Sequence, residues 1–422
     1  MFPILQGAKT KLKAKWTPRT VQERNALYLY ATTAMMGLEQ AGIMTYMPVF
    51  LARLDASAEQ IGLLTSIPAI VSMIVLIPAG LLAERTTNQV RLRGRSGFLM
   101  RSSFLLMSIA PWVFTASAIP SVAIVLWSLR ALGFAVANSA WMTVMTDAIP
   151  ARQRPRLNSI RWAMLSVVSA VLAAVFGGML DVIVFPLNYQ VLFLISFAGA
   201  LLNLYFFSRI QVPPLQTKPK GEWHIGNLGQ GIRSYLSSIT ECREFVRFLL
   251  ATTSFRIAVN MSIPLFSLYW VNELQATDSW IGLRSTAGYT ALVIGYLTWG
   301  RIAGRIKHRR VLLISVLLYG LYPISTALIP STPWLLPVAV IWGVALSGVD
   351  MGLFDLMLAA APKDKMPRLS SVLNLVSNAA AFIGPMLGVM LSNATSVRTA
   401  LLVIGAIQLL STITFRLLPS DV

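Results

Sequence analysis

The sequence predicts an all-α membrane protein of twelve transmembrane helices, arranged as two pseudo-symmetric six-helix bundles. Three observations carry that expectation: an internal repeat, a strongly apolar composition, and basic residues that fall on alternate connections. The stretch Ile61–Arg85 returns at Ile281–Arg305, with Ile61-Gly62 answered by Ile281-Gly282 and Gly80 by Gly300, an offset of 220 residues (300 − 80). A second echo, Pro155-Arg-Leu-Asn-Ser159 against Pro367-Arg-Leu-Ser-Ser371, follows at 212 (367 − 155). Self-similarity at a fixed period marks a duplicated structural unit. Of the 422 residues 56% are hydrophobic and only 12% charged, with a mean hydropathy of +0.67. Soluble domains carry roughly 25% charged residues.

About 20 apolar residues in helical form cross a bilayer. Twelve stretches qualify, at roughly 26–52, 60–83, 97–117, 120–147, 157–180, 187–208, 244–272, 279–303, 310–329, 333–361, 368–393 and 397–418. Their connections alternate in character. One side has very short turns, such as Ala116–Ser121 and Ser331–Pro333, and the other has longer, charged ones. The longest connection, Arg209–Arg243, contains Pro213-Pro214, Pro219 and four glycines, which break regular structure. Near its end Ile232, Tyr235, Leu236 and Ile239 form a one-sided apolar stripe, expected to be a short helix on the membrane surface. The chain therefore divides into 1–208, a linker 209–243, and 244–422. Gly226–Gly231 is glycine-rich, but no strand precedes it and no Gly-Lys-Ser/Thr element occurs, so it reads as flexible linker and not as a phosphate loop.

The net charge of +19 would suit a nucleic-acid partner until it is mapped. With the N-terminus inside, all but six of the 35 basic residues fall on inside ends and loops, including the tail Lys9, Lys11, Lys13 and Lys15. The six are Arg53, Arg284 and Arg398 outside and Arg130, Arg161 and Arg256 within spans. Charge of this pattern orients a protein with both termini in the cytoplasm and contacts anionic lipids, so the expected partners are membrane lipids and no nucleic acid. The place implied is the inner (cytoplasmic) membrane, as a multi-pass protein. The single cysteine, Cys242, rules out an intramolecular disulfide, and the two histidines, His224 and His308, are far apart, so no metal site is expected. No nucleotide loop, metal cluster or nucleophile–base pair is present, and an enzyme is not expected.

Six plus six spans in parallel repeat, joined by a long inside loop, suggest a rocking secondary transporter. Over essentially its whole length the chain resembles the major facilitator superfamily. The family's motif between helices 2 and 3 is Gly-x-x-x-Asp-Arg/Lys-x-Gly-Arg/Lys-Arg/Lys. Here it reads Gly80-Leu-Leu-Ala-Glu84-Arg85, then Arg91, Arg93 and Arg95, with Glu in place of Asp. The second copy reads Gly300-Arg-Ile-Ala-Gly304-Arg305, with Gly in that place. Asp147-Ala-Ile-Pro150-Ala-Arg-Gln-Arg154 resembles the family's loop between helices 4 and 5. A glycine at the end of helix 2 lets another helix approach closely. Glu84 would then face the N-terminus of helix 11, as the resemblance implies, where the helix dipole favours a carboxylate. That contact would close the cytoplasmic side, with Gly80, Glu84, Arg85, Gly300 and Arg305 as gating residues. The plainer alternative for Glu84 is a solvated loop charge.

Ionisable groups inside a membrane are expensive and are functional candidates by default. Glu39 falls near the middle of helix 1, Arg130 within helix 4, Arg256 within helix 7, and Asp350 and Asp355 within helix 10. The resemblance implies that helices 1, 4, 7 and 10 line a central cavity, and all five charges fall on those four. Two pairings are expected, Glu39 with Arg130 and Arg256 with Asp350 or Asp355. A carboxylate balanced between burial and an arginine can couple proton movement to binding, and Glu39 is the expected coupling group. A static ion pair that fixes helix packing is the alternative for each. Asn138, Trp141 and Asn260 are candidate cavity-lining residues below the charges. Antiporters of the family carry Leu-x-x-x-Arg-x-x-Gln-Gly on helix 4, and Leu126-Trp-Ser-Leu-Arg130-Ala-Leu-Gly133 resembles it in part.

The expectation is therefore secondary active transport by alternating access: proton-coupled export of an amphipathic or anionic organic solute. No cofactor is expected beyond a proton or ion gradient, and the chain is expected to act as a monomer. Organic-anion uptake is the nearest alternative, and a lipid flippase or a non-transporting sensor or assembly protein lies further off.

Overall fold

A computed structural model of the chain describes residues 20–215, 242–303, 305–306, 308–360 and 366–416. The basic tail Lys9–Lys15, Gly226–Gly231 and the surface helix expected around 232–239 lie outside the described residues. Among the described residues the chain is helical throughout, without a strand. Helix α1 runs Val21–Glu39, passes through a π turn at Gln40–Met44, and resumes as Thr45–Arg53. There follow α2 (Ala58–Glu84), α3 (Gln89–Val113), α4 (Ile119–Ala148), α5 (Arg154–Val182) and α6 (Leu187–Ser208). In the second set α7 spans Arg243–Leu268 and closes in a π turn, Tyr269–Glu273. After it come α8 (Asp278–Ala303), α9 (His308–Leu328), α10 (Leu335–Ala360), α11 (Met366–Ala394) and α12 (Val397–Arg416).

Local chemistry sets several of the starts. Ser57 and Gln60 form a reciprocal capping box at α2, and Asn88 accepts from the Arg91 amide at 2.8 Å at α3. Each satisfies amides that the first turn of a helix leaves unpaired. Among the described residues nine helices are long and apolar enough to cross a membrane. The three that fall short are α1, which is broken, and α3 and α8, which carry arginines within or beside their apolar runs. Those same three helices hold Glu39, Arg101 and Arg284.

The first six helices pack as α3 on α4 and α6, α1 on α5 and α6, and α2 on α4. The last six pack as α8 and α9 on α10, α7 on α11 and α12, and α9 on α12. The sets meet along two lines, α2 with α11 and α5 with α8. The apolar cores show how they lean. On the face away from the chain ends one core spans both sets, joining Tyr46, Phe50, Tyr189 and Phe193 to Leu265, Tyr269 and Ile281. Toward the terminal face the core splits. Leu29, Val144, Leu157 and Phe207 form one cluster in the first set, and Phe245, Phe248, Leu312 and Phe415 form another in the second. The molecule is a V, closed at the far face and parted at the terminal face.

Candidate transport site

At Glu39 the chain departs from ideal helix. Gly42 takes φ −84° and ψ −111°, outside helical geometry, and the α-ladder shifts to a π turn. Side chains repair the backbone bonds this loses. Ser196 accepts from the Ile43 amide at 3.1 Å, and Thr45 donates to the Gln40 carbonyl at 2.7 Å. A π turn in a helix is frequently a mark of function, because it redirects side chains that a regular helix would hold elsewhere.

The Glu39 carboxylate, 6% exposed, accepts from Arg101 Nε of α3 at 3.0 Å, and Arg101 is 3% exposed. This corrects the expected Glu39–Arg130 pair. Arg101 had been counted with the inside loop, but α3 begins at Gln89, which sets Arg101 twelve residues into the helix (101 − 89). At 1.5 Å per residue that is roughly 18 Å deep. Arg130 sits close enough to feel Glu39 and Arg101 but packs on rings, 5.1 Å from the Trp127 centroid and 5.8 Å from that of Phe104. Its Nε is sealed from solvent without a hydrogen-bond partner among the described residues.

In the second expected pairing, Arg256 and Asp350 attract one another. Asp350 is exposed and accepts from the Tyr296 hydroxyl at 2.8 Å, while Arg256 attracts it only through space. Asp355, half-buried, lies nearer the terminal end of α10. Asn260 donates to the Arg256 carbonyl at 2.7 Å and packs where α11 passes at Gly384. Asn138 is exposed on α4. Trp141 lies beneath two guanidinium groups, Arg93 at 4.9 Å and Arg161 at 4.5 Å from its ring. Arg284, expected outside, instead donates to the Tyr322 hydroxyl and is ringed by Trp270, Tyr322 and Trp342 at 4.6, 5.6 and 5.2 Å.

The far-face seam is a polar latch built around the start of α8. Asp181, at the end of α5, accepts from the amides of Asp278 (2.9 Å) and Ser279 (3.1 Å), placing a carboxylate on the positive end of α8. The Asp278 carboxylate accepts from Tyr189 at 2.8 Å and from Arg53 at 3.2 Å, and Arg53 also donates to the Ala276 carbonyl at 2.6 Å. Gly177 and Gly282 make the crossing possible. A Cβ on Gly177 would stand 2.6 Å from the Asp278 carbonyl oxygen, and one on Gly282 would collide with that of Ala173. Nearer the middle, Gln40 beside Glu39 donates to Tyr289 of α8 at 3.0 Å. Neither Asp181 nor Asp278 stood out in the sequence. The one available signal was that both acids flank short turns of the less charged side, Asp181 before one and Asp278 after another.

At the terminal face the residues of the expected gate are seen only from the α2 side. Glu84 and Arg85 are exposed, and among the described residues nothing lies within 4 Å of where a Cβ on Gly80 would be. Around Gly300, among the described residues, only Met351 comes to 4.0 Å, and Arg305 is exposed.

Two helical bundles that meet at one face, part at the other and hold ion-paired charge between define the class: a multi-pass secondary transporter, not an enzyme. The sequence matches the family model of the Major Facilitator Superfamily over residues 29–246 and 248–422, and the chain belongs to that family. A search of curated proteins gave no match. Among solved structures, the chain is similar to a bacterial homolog of the human lysosomal transporter Spinster in an inward-facing, unoccupied conformation. The TM-score is 0.67 at 16% identity, covering 94% of this chain and 98% of that one. It is similar to a POT family transporter in complex with a thioalcohol-conjugated peptide, with TM-score 0.73, 12% identity, and 92% and 95% coverage. It is also similar to a variant of the nucleoside transporter NupG, with TM-score 0.70, 11% identity, and 93% and 99% coverage. At these identities the likeness speaks for the fold alone.

Proposed function

We propose that the protein works by alternating access and exports an amphipathic or anionic organic solute in exchange for protons, with Glu39 as the coupling group. One observation carries the reading. The buried Glu39–Arg101 pair sits at the break in α1, one residue from Gln40, which ties that helix to the opposite bundle. A change of charge at Glu39 would release Arg101 and loosen α1 beside the tie. The chemistry of the pair is thereby connected to the seam that must open. The positive-inside pattern supports a cytoplasmic terminal face, and the parting there supports an inward-open state. Residues 209–243 serve as the linker between the halves, and the monomer is the working unit.

The test is ligand-induced thermal stabilisation of the purified chain over organic anions, cations and neutral drugs at two pH values. A ligand that binds the native state raises its apparent stability by mass action. A pH-dependent stabilisation that becomes pH-independent in Glu39→Gln is expected. Retained pH dependence in that variant would remove Glu39 from coupling. Organic-anion uptake uses the same groups. Flux against an imposed pH gradient in oriented vesicles separates the two directions.

A further inference from the structure

The interior of the first bundle holds four guanidinium groups, Arg93, Arg101, Arg130 and Arg161. Glu39 is the acid whose charge reaches Arg93 and Arg130, and it is already spent on Arg101. A guanidinium keeps its proton under any ordinary condition, so these charges cannot be relieved by titration. Arg130 faces rings. Arg161 is held by neutral groups, donating to Thr33 at 2.8 Å and Asn158 at 3.1 Å. Arg93 lies 4.0 Å from the Phe207 centroid and shares the Trp141 ring with Arg161, and its Nε and Nη1 are buried without hydrogen-bond partners among the described residues. Aromatic faces attract a cation but do not neutralise it. Uncompensated cations within a membrane protein mark a ligand path by default. Both Arg93 and Arg161 remain partly exposed, on the side where the bundles part.

We infer that Arg93 and Arg161, sharing the Trp141 ring, form a recognition site for a solute bearing at least two anionic groups, such as a dicarboxylate or a phosphate monoester, with Arg130 as the next cation inward. The inference rests on the transporter reading above and names its substrate class. Two unmatched cations across one indole call for two negative groups, because a monoanion leaves one guanidinium still without a counter-charge. Arg101 is excluded from the site by its bond to Glu39.

The experiment uses the full chain in nanodiscs of zwitterionic lipid and measures Kd for glutarate, phenyl phosphate, benzoate and tetramethylammonium. Glutarate or phenyl phosphate is expected to bind at least about tenfold more tightly than benzoate, the difference one charge-assisted contact makes. Arg93→Gln and Arg161→Gln should each lose roughly tenfold or more. Arg93→Lys and Arg161→Lys, which keep the charge and report on folding, should lose less. Equal affinity for benzoate, no loss in the Gln variants, or a response to tetramethylammonium alone would overturn the dianion site and leave the transporter standing. Stabilisation only by nanodiscs containing phosphatidylglycerol would reassign the cations to lipid headgroups and overturn the proposal as well. Dianion binding without flux into proteoliposomes would retain the site and remove the transport reading.

Discussion

The two bundles follow one repeated plan and yet hold their interior charge in opposite ways. In the first, Glu39 and Arg101 are dry, joined at 3.0 Å and enclosed by helices. In the second, Asp350 stays exposed on the hydroxyl of Tyr296, and Arg256 acts on it from a distance. The two sets are not repeat-related, since Glu39 and Arg101 lie on α1 and α3 whereas Arg256 and Asp350 lie on α7 and α10. Burial decides what each costs to break. Removing one partner of a buried pair strands the other charge, whereas a hydrated pair is replaced by water. The first bundle is therefore the one whose charge state governs its packing.

The sharpest way to break this comparison is to remove one arginine from each half. Arg101→Gln should destabilise the protein by about 3–5 kcal/mol, since it leaves Glu39 buried and unpaired. Arg256→Gln should cost about 1 kcal/mol or less, because Asp350 keeps its bond from Tyr296. Thermal unfolding in one detergent, with both variants side by side, reads the difference. Equal losses would mean that the halves are energetically alike. The double variant Glu39→Gln/Arg101→Gln should recover part of the loss, since no charge is then stranded.

A second contrast runs across the membrane. At the far face a carboxylate caps a helix start, and two glycines allow the crossing. At the terminal face Glu84 is exposed, and among the described residues nothing stands within 4 Å of where a Cβ on Gly80 would be. Gly282→Ala should force the far seam apart, because the added methyl meets the Ala173 carbonyl and stands 2.7 Å from the Tyr46 hydroxyl. Nitroxides at positions 55 and 395, in a Cys242→Ser background, should then report longer and broader separations. Asp278→Asn is the milder version. It keeps the backbone crossing but weakens the Arg53 and Tyr189 contacts, at about 1–3 kcal/mol for charge-assisted hydrogen bonds. An unchanged distance distribution in Gly282→Ala would show that the crossing does not depend on the missing side chain.

Much of the architecture was legible in the amino-acid order, because a bilayer imposes a long apolar run on every crossing and the repeat showed where the plan begins again. The expected span 60–83 and the helix Ala58–Glu84 agree closely, as do 187–208 and Leu187–Ser208. The site was legible only in part. Glu39, Arg130 and Arg256 were found because a charge within an apolar run stands out. Arg101 was missed because it follows Arg91, Arg93 and Arg95, and a dense basic tract reads as a loop until the true start of α3 at Gln89 is known. The Asp181–Asp278 latch was missed for another reason. Each acid flanks a short turn, and nothing along the chain says that α5 and α8 meet there.

The smallest effect expected is the most direct test of the expected gate. Gly80 lies inside α2 with open space around the position of its missing Cβ, so alanine fits this arrangement without contact. Glycine inside a helix costs roughly 0.5–1 kcal/mol relative to alanine, so Gly80→Ala should raise the thermal stability of this state by about that amount. If Gly80 is the point where another helix comes close when the terminal face shuts, the same methyl would hinder that closure. The variant should then combine slightly higher stability with a shift toward the terminal-open population, read as greater labelling of a cysteine placed on the terminal half of the cavity wall. Higher stability with unchanged labelling would mean that the terminal seam closes elsewhere, and that the resemblance of Gly80–Arg85 to the family's gate is one of sequence and not of use.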